Sequence, residues 1–153
     1  MNDKAQVSLE YLLLFFAVII ILSVISLPLL YDSIETTQDI LLVVETKNTL
    51  NHLSDEIKVV HTDYYTQKTA SVYVPENMKL EYKTSAGKHY LSVNIKLSDN
   101  TTKTVKQEVP CKISFRNNPS YYYNNLYRRW YNNVEIKWLK ADNNTTCIDL
   151  YFK

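Results

Sequence analysis

The order of apolar and polar residues sets one stretch of the chain apart from the rest. From Tyr11 to Leu30 the sequence is YLLLFFAVIIILSVISLPLL, twenty residues without a charge. About twenty apolar residues, at 1.5 Å each along a helix, reach across the hydrocarbon core of a bilayer. The stretch therefore predicts a membrane-spanning helix.

After this block the apolar residues recur at helical spacing. Ile34, Leu41 and Val44 fall on one stripe, and a second series recurs at gaps of seven, three and four residues. The second series is Val43, Leu50, Leu53, Ile57, Val60 and Tyr64. This spacing is typical of an amphipathic helix, which is predicted to continue to about residue 65.

Pro28 leaves the continuity of the helix open. Proline in a helix interior has no N–H to donate and kinks or opens a turn. Asp32 and Glu35 have the spacing of a capping box that would start a new helix. One bent helix and two abutting helices are both consistent with this sequence.

From about Thr69 onward the hydrophobic period changes to two. Six segments alternate apolar with polar residues, as half-buried antiparallel strands do. Their apolar positions lie in 72–74, 78–82, 91–97, 109–115, 134–138 and 148–152. The predicted fold is therefore α+β, with a long hydrophobic and then amphipathic N-terminal helix followed by a small antiparallel β-sheet or β-sandwich head.

The residues just before the apolar block form the most specific pattern. Lys4 and Ala5 end a short polar leader, and Gln6, Ser8 and Glu10 precede the uninterrupted apolar run. A carboxylate inside a spanning segment costs about 3 kcal/mol near the bilayer centre and less at its edge, so Glu10 needs a reason to be there. The order KAQVSLEYLLL resembles the class III signal peptide of archaeal type IV prepilins.

This resemblance implies a processing site. In that family a membrane peptidase cuts on the cytoplasmic side before the glutamine, which here places the cut between Ala5 and Gln6. The apolar helix then stays on the mature protein, first as an anchor and later as the core of a filament. Gln6, Ser8 and Glu10 correspond to the family's signature, and they are the residues expected to act in assembly.

The charges around the apolar block predict its orientation. Lys4 precedes the block, whereas Asp32 and Glu35 follow it, so the positive-inside rule places the N-terminus in the cytoplasm. We expect a single-pass precursor that becomes part of an extracellular filament. The expected divisions are a cleaved leader (1–5), a pilin-type helix (6–66, with 11–30 in the membrane or the filament core) and an extracellular β-rich head (67–153).

Composition excludes several classes of function. The 153 residues include seventeen Lys plus Arg and sixteen Asp plus Glu, a net charge of +1, which provides no whole-molecule field to attract nucleic acid. Gly87 is the single glycine, so glycine-rich phosphate loops and nucleophile elbows are absent. We therefore expect no enzymatic activity, no cofactor or metal and no nucleic-acid partner.

The expected partners, which the resemblance to prepilins implies, are copies of this chain or related pilins, the prepilin peptidase and the membrane.

The head also contains candidate sites of covalent modification. Cys111 and Cys147 are its two cysteines, and they lie in the part expected outside the cytoplasm, where disulfides persist. We expect them to form a bridge, and the alternative is two buried thiols on neighbouring strands. N-glycosylation sequons begin at Asn100, Asn143 and Asn144 in predicted turns, and at least one is expected to carry a glycan.

A tyrosine-rich segment, 121–131, is the candidate contact surface. It includes Tyr127, Arg128, Arg129 and Trp130, and such residues dominate protein interfaces and stack on sugars or bases. The alternative is that the rings pack over the sheet.

The resemblance implies a structural subunit of an archaeal type IV pilus-like filament that serves surface adhesion. Two alternatives share the features described above. One is a permanently membrane-anchored extracellular binding domain, and the other is a low-copy pilin that primes or caps assembly.

Overall fold

The computed structural model describes residues 3–63, 67–116, 123–127, 129–140 and 146–153. The chain forms two compact units, Met1–Gln38 and Asp39–Lys153. The described secondary structure is one helix, α1 (Asp3–Thr62), followed by eight strands. The strands are β1 (Gln67–Val74), β2 (Met78–Ser85), β3 (Lys88–Lys96), β4 (Thr102–Val109), β5 (Lys112–Phe115), β6 (Tyr123–Leu126), β7 (Arg129–Lys140) and β8 (Thr146–Phe152).

Helix α1 includes Pro28 in its interior, so the choice between one helix and two is decided in favour of one. The turn after the proline gains an extra bond, because the Ser33 hydroxyl donates to the Leu29 carbonyl at 2.8 Å. The helix ends at Thr62, and residues 64–66, where the predicted helix ends, lie outside the described residues.

The strands of the second unit form two sheets of four strands each. Sheet A has the order β1-β7-β8-β5, and sheet B has the order β4-β3-β2-β6. The described pairs are antiparallel except β5 with β8, which is parallel. This antiparallel-rich arrangement after a long apolar helix confirms the predicted α+β fold class.

The prediction of six strands is wrong, because eight are present among the described residues. The sequence predicts one strand over 109–115, but β4 ends at Val109 and β5 begins at Lys112. Pro110 lies at this break because proline has no N–H for a strand ladder. Strand β4, TKTVKQEV, is mostly polar, and β6 is only four residues long, so neither produces a clear alternating pattern.

One hydrophobic core joins the C-terminal part of α1 to both sheets. The helix contributes Leu50, Leu53, Ile57 and Val60, each at most 1% exposed. Sheet A contributes Ala70, Val72, Val74, Ile113, Phe115, Val134, Ile136, Ile148, Leu150 and Phe152, and sheet B contributes Met78, Leu80, Tyr82, Leu91, Val93, Ile95, Val105, Val109 and Leu126. The second predicted stripe of α1 is therefore its core face, apart from Tyr64, which lies outside the described residues.

Helix α1 also bonds to an edge strand of each sheet. The Thr49 hydroxyl lies 2.7 Å from the Tyr73 carbonyl of β1, and the Ser54 hydroxyl donates to the Glu108 carbonyl of β4 at 2.9 Å. Strands β1 and β4 are at sheet edges, where free backbone groups can pair with strands of other chains. These two contacts tie the helix to one edge strand of each sheet.

Candidate functional site

The apolar surface of α1 is the dominant feature of the first unit. Between Leu9 and Ile34 the exposed large apolar side chains have 41% to 71% of their surface accessible. A window of eighteen residues in this helix has a mean hydropathy of 3.0, and none of it is buried within the chain. By length and composition the helix is able to cross a membrane. So large an apolar surface requires lipid or another protein to cover it.

The predicted processing and assembly residues lie in the first turns of α1. Ala5, Gln6, Ser8 and Glu10 are all helical. The Glu10 side chain is exposed at the start of the apolar segment, and the side chains of the other three lie outside the described ones. Positions 6 and 10 are four residues apart, about one helical turn, so an amine at position 6 would lie within a turn of the Glu10 carboxylate.

The two cysteines are close to each other at one end of sheet A's β5–β8 pair. Cys111 is 4% exposed and directly precedes β5. The parallel register of β5 and β8 pairs Lys112 with Cys147, so Cys111 is one residue before the partner of Cys147. The Cys147 side chain lies outside the described ones. The disulfide therefore stays a prediction.

The Asn100 sequon lies in the turn between β3 and β4. Asn100 is exposed with a φ of 63°, a left-handed conformation that asparagine tolerates better than most residues. Asp99 organises the turn by accepting hydrogen bonds from the Thr101 hydroxyl at 2.6 Å and the Thr101 N–H at 2.8 Å. These bonds, the hydroxyl's above all, hold the pKa of Asp99 below its ordinary value. The sequons at Asn143 and Asn144 lie outside the described residues.

The sequence pattern does not predict the link between α1 and this turn. The Asp39 carboxylate accepts hydrogen bonds from the Ser98 N–H at 3.1 Å and from the Ser98 hydroxyl at 3.0 Å. Because the acceptor is charged, these bonds are stronger than neutral ones. In the sequence, Asp39 is one polar position of an amphipathic helix, and no local signal marks its partner 59 residues away.

The candidate contact surface is only partly within the described residues. Tyr127 follows β6, and its ring is 64% exposed. Arg129 and Trp130 begin β7, but their side chains lie outside the described ones, as does Arg128. Tyr127 is therefore available for contact.

Arg116 is the centre of a charged network on sheet A. Its Nε donates to Asp149 at 2.8 Å, and its Nη1 lies 3.7 Å from Glu135. The guanidinium also lies 5.2 Å from the centre of the Tyr151 ring. The hydrogen bond to Asp149 is the main cause that raises the pKa of Arg116. Paired in this way, the cluster is a structural ion network.

The described residues contain no group of three or more His, Cys, Asp or Glu side chains placed to hold a metal ion.

Comparison with known proteins bears on the N-terminal segment. Residues 4–28 match the family model described as Class III signal peptide. Nothing matches among the curated proteins or the solved structures. The matched range includes Ala5, Gln6 and Glu10 and coincides with most of the exposed apolar surface of α1. The N-terminal segment is thus similar to a Class III signal peptide, and this similarity supports a membrane-anchored, type IV pilin-like precursor.

Proposed function

We propose that this chain is a structural, non-enzymatic subunit of an archaeal type IV pilus-like filament, cut by a prepilin peptidase between Ala5 and Gln6. One observation carries the proposal. The range that matches the Class III signal peptide, 4–28, covers most of the stretch from Leu9 to Ile34 in which α1 exposes its apolar side chains. Cleavage before position 6 leaves that surface on the mature protein, where it must be covered.

The apolar surface has two successive environments in this proposal. In the precursor, α1 lies in the bilayer. In the filament, the same side chains pack against α1 of neighbouring subunits. Burying each of them from water would be worth about 1.5 to 3 kcal/mol, but the bilayer already keeps them out of water. Since lipid chains are as apolar as leucine, that burial contributes little to the transfer from lipid to filament. Close packing and polar pairs must supply the preference.

Glu10 is the polar group best placed to provide such a pair. Cleavage creates an α-amine at Gln6, about one helical turn from the Glu10 carboxylate. An amine and a carboxylate favour each other's charged form, within one subunit or between neighbours. The pair offsets much of the cost of holding a carboxylate in an apolar core. The partners are other copies of this chain or related pilins, together with the peptidase and the membrane.

The second unit is the part that the filament displays outside the cell, in a role of surface adhesion. Tyr127 supports this role, because 64% of its surface is exposed. The sequon at Asn100 lies in an exposed turn, which suits glycosylation of an external domain.

Shearing of cells followed by N-terminal mass analysis tests the proposal. We expect the sheared fraction to contain a chain that begins at Gln6. Ala5→Glu should leave a full-length precursor in the membrane, while the matched Ala5→Ser, which keeps a small residue, should be processed normally. A full-length chain that stays entirely with the membranes of wild-type cells would identify a permanently anchored binding domain instead.

A further inference from the structure

The charge of the chain is unevenly distributed between its two units. Met1–Gln38 contains one basic and four acidic residues, a net charge of −3. Asp39–Lys153 contains the remaining sixteen basic and twelve acidic residues, a net charge of +4. The second unit is therefore basic, although the net charge of the whole chain is only +1.

Within the second unit, lysines collect on the outer face of sheet B. Side chains alternate between the two faces of a strand, and the core residues of β2, β3 and β4 all lie on one of those faces. The outward positions carry Lys79, Lys83, Lys88, Lys96 and Lys106, all exposed, and we call this surface the lysine face. The same surface includes two carboxylates, Glu81 and Glu108, so its net charge is +3.

Both carboxylates of the lysine face are already engaged. Glu81 lies 2.7 Å from Lys83 and 3.1 Å from Lys79. Glu108 lies 3.0 Å from Lys88. These contacts occupy three of the five lysines and both acids.

Lys96 and Lys106 are the unneutralised cations of this face. Among the described residues, no carboxylate lies within ion-pair distance of either one. The Lys106 ammonium lies 5.5 Å from the centre of the Tyr90 ring, which holds it above the middle of the sheet. Between them, on the paired strands β3 and β4, the Thr104 hydroxyl donates to the Asn94 amide oxygen at 2.8 Å. Charged and neutral polar groups thus alternate across this surface.

We propose that the lysine face binds an acidic polysaccharide. Lys96 and Lys106 would pair with uronate carboxylates, and Asn94 and Thr104 would bond with sugar hydroxyls. The inference rests on the proposed function for one point, that the head is displayed outside the cell.

Three observations favour a polyuronate over a nucleic acid. The cations of this face are lysines, which act as point charges, whereas arginine has the planar fork that matches phosphate. The surface is the outer face of a sheet, and its lysines are spread over three strands instead of lining one channel along a nucleic-acid backbone. The Tyr90 ring already has Lys106 above it, so it is not a free platform for stacking a base.

Binding of the full-length chain in detergent to immobilised alginate, a polyuronate, tests this proposal. We expect saturable binding that weakens with added salt, since exposed charges are screened over about 10 Å at 0.1 M. Neutral dextran should not bind. The double variant Lys96→Gln/Lys106→Gln should bind alginate about fivefold more weakly, a size typical of two exposed charge contacts.

The matched control is Lys47→Gln/Lys137→Gln. Both lysines are exposed, neither pairs with a described carboxylate, and the pair removes the same total charge from other surfaces of the second unit. Its affinity for alginate should stay within about twofold of wild type. If both double variants lost the same affinity for alginate, net charge alone would explain the binding, and the proposal would be overturned.

Two further outcomes would also overturn it. They are no binding of wild type to alginate, and tighter binding to duplex DNA than to alginate at the same salt concentration. The alginate assay needs no filaments, so a negative result there would not contradict the proposed filament function. A negative result in the shearing experiment would likewise not contradict alginate binding, which would still be measurable.

Discussion

Glu81 illustrates what one ion-paired side chain contributes to the head. Its carboxylate is 18% exposed between two lysines, and hydrogen bonds from Lys83 first and then Lys79 lower its pKa below the ordinary value. A carboxyl group whose pKa is lower when folded stabilises the protein at neutral pH. That contribution is lost as the pH falls from about 4.5, the ordinary pKa of a glutamate, through the lower pKa of the folded state.

Glu81→Gln should therefore lower the melting temperature most at neutral pH. The expected loss there is at most about 1 kcal/mol, because the pair is near the surface. Melting curves of the full-length chain between pH 7 and pH 3 should show the difference between wild type and variant narrowing in acid. Glu76→Gln, at an exposed position without an ion pair among the described residues, is the control. If the difference in melting temperature between wild type and Glu81→Gln did not change with pH, the stabilising role of the charged Glu81 would be contradicted.

The Thr49 hydroxyl offers a second test at the scale of a residue. It is 5% exposed, and its oxygen lies 2.7 Å from the Tyr73 carbonyl and 2.9 Å from the Glu45 carbonyl, so Thr49→Val removes the donor that these two carbonyls share. The expected cost is about 1 to 2 kcal/mol of unfolding free energy, measured by urea denaturation in detergent. Thr62→Val is the matched control, because its hydroxyl donates to the Lys58 carbonyl on an exposed surface. Equal losses in the two variants would argue against the edge-strand role.

The cysteine bridge is predicted on the same scale. Cys111 directly precedes β5, and Cys147 lies on the neighbouring strand β8. A bridge would close a loop of about 37 residues, worth about 3 to 4 kcal/mol. The mature chain should migrate faster before reduction than after it, and thiol reagents should label it negligibly. Full labelling of both cysteines without reduction would rule the bridge out.

At the scale of an element, α1 carries two apolar stripes that have different roles. The stripe with Leu50, Leu53 and Ile57 is buried in the core of the head. The stripe with Leu41 and Val44 is about half exposed, at 53% and 48%. Both stripes have the same helical period, so the choice between them was made by packing against the sheets.

The pair Leu53→Ala and Leu41→Ala separates the two stripes. Leu53 is 1% exposed, and its truncation should leave a cavity that costs about 2 to 5 kcal/mol of stability. Leu41→Ala removes the same atoms from an exposed position and should change stability by less than about 0.5 kcal/mol. Urea denaturation of the full-length chain measures both. Comparable losses would mean that the Leu41 stripe is also part of the folded core.

At the scale of the whole molecule, the proposed function depends on an apolar helix that changes its surroundings. Glu10→Val removes a carboxylate from the edge of the spanning segment, so membrane insertion should be preserved or improved. Filament yield after shearing should fall if the carboxylate pairs with the amine of Gln6. Glu35→Gln removes an acid on the other side of the apolar block and should leave the yield unchanged. Normal yield from Glu10→Val would remove Glu10 from the assembly mechanism.

Much of this architecture follows from local order in the sequence. The spanning segment is recognisable because bilayer thickness requires a continuous apolar run, whatever the rest of the chain does. The strands around Leu91 and Ile148 are recognisable because one face of each is buried, which imposes alternation. The similarity of residues 4–28 to a Class III signal peptide is recognisable because such a signal is a linear motif. These features need no knowledge of distant contacts.

Other features depended on residues that are far apart in the chain. Strand β4 is predominantly polar, and it is a strand because β3 pairs with it along its whole length. At Pro110 the chain passes from sheet B to sheet A, where β5 pairs in parallel with β8. The hydrophobic pattern along the sequence does not indicate which strands will pair.

The sequence by itself determined the apolar helix long enough to span a membrane, the signal-peptide motif and the α+β order, because each rests on neighbouring residues or on a single period. Tertiary structure alone decided which stripe of α1 is buried and which edge carbonyls Thr49 and Ser54 cover. It also placed five lysines from β2, β3 and β4 on one face of sheet B, although the net charge of the whole chain is only +1. The physical reason is that burial and charge density belong to surfaces, and a surface exists only after distant segments have paired.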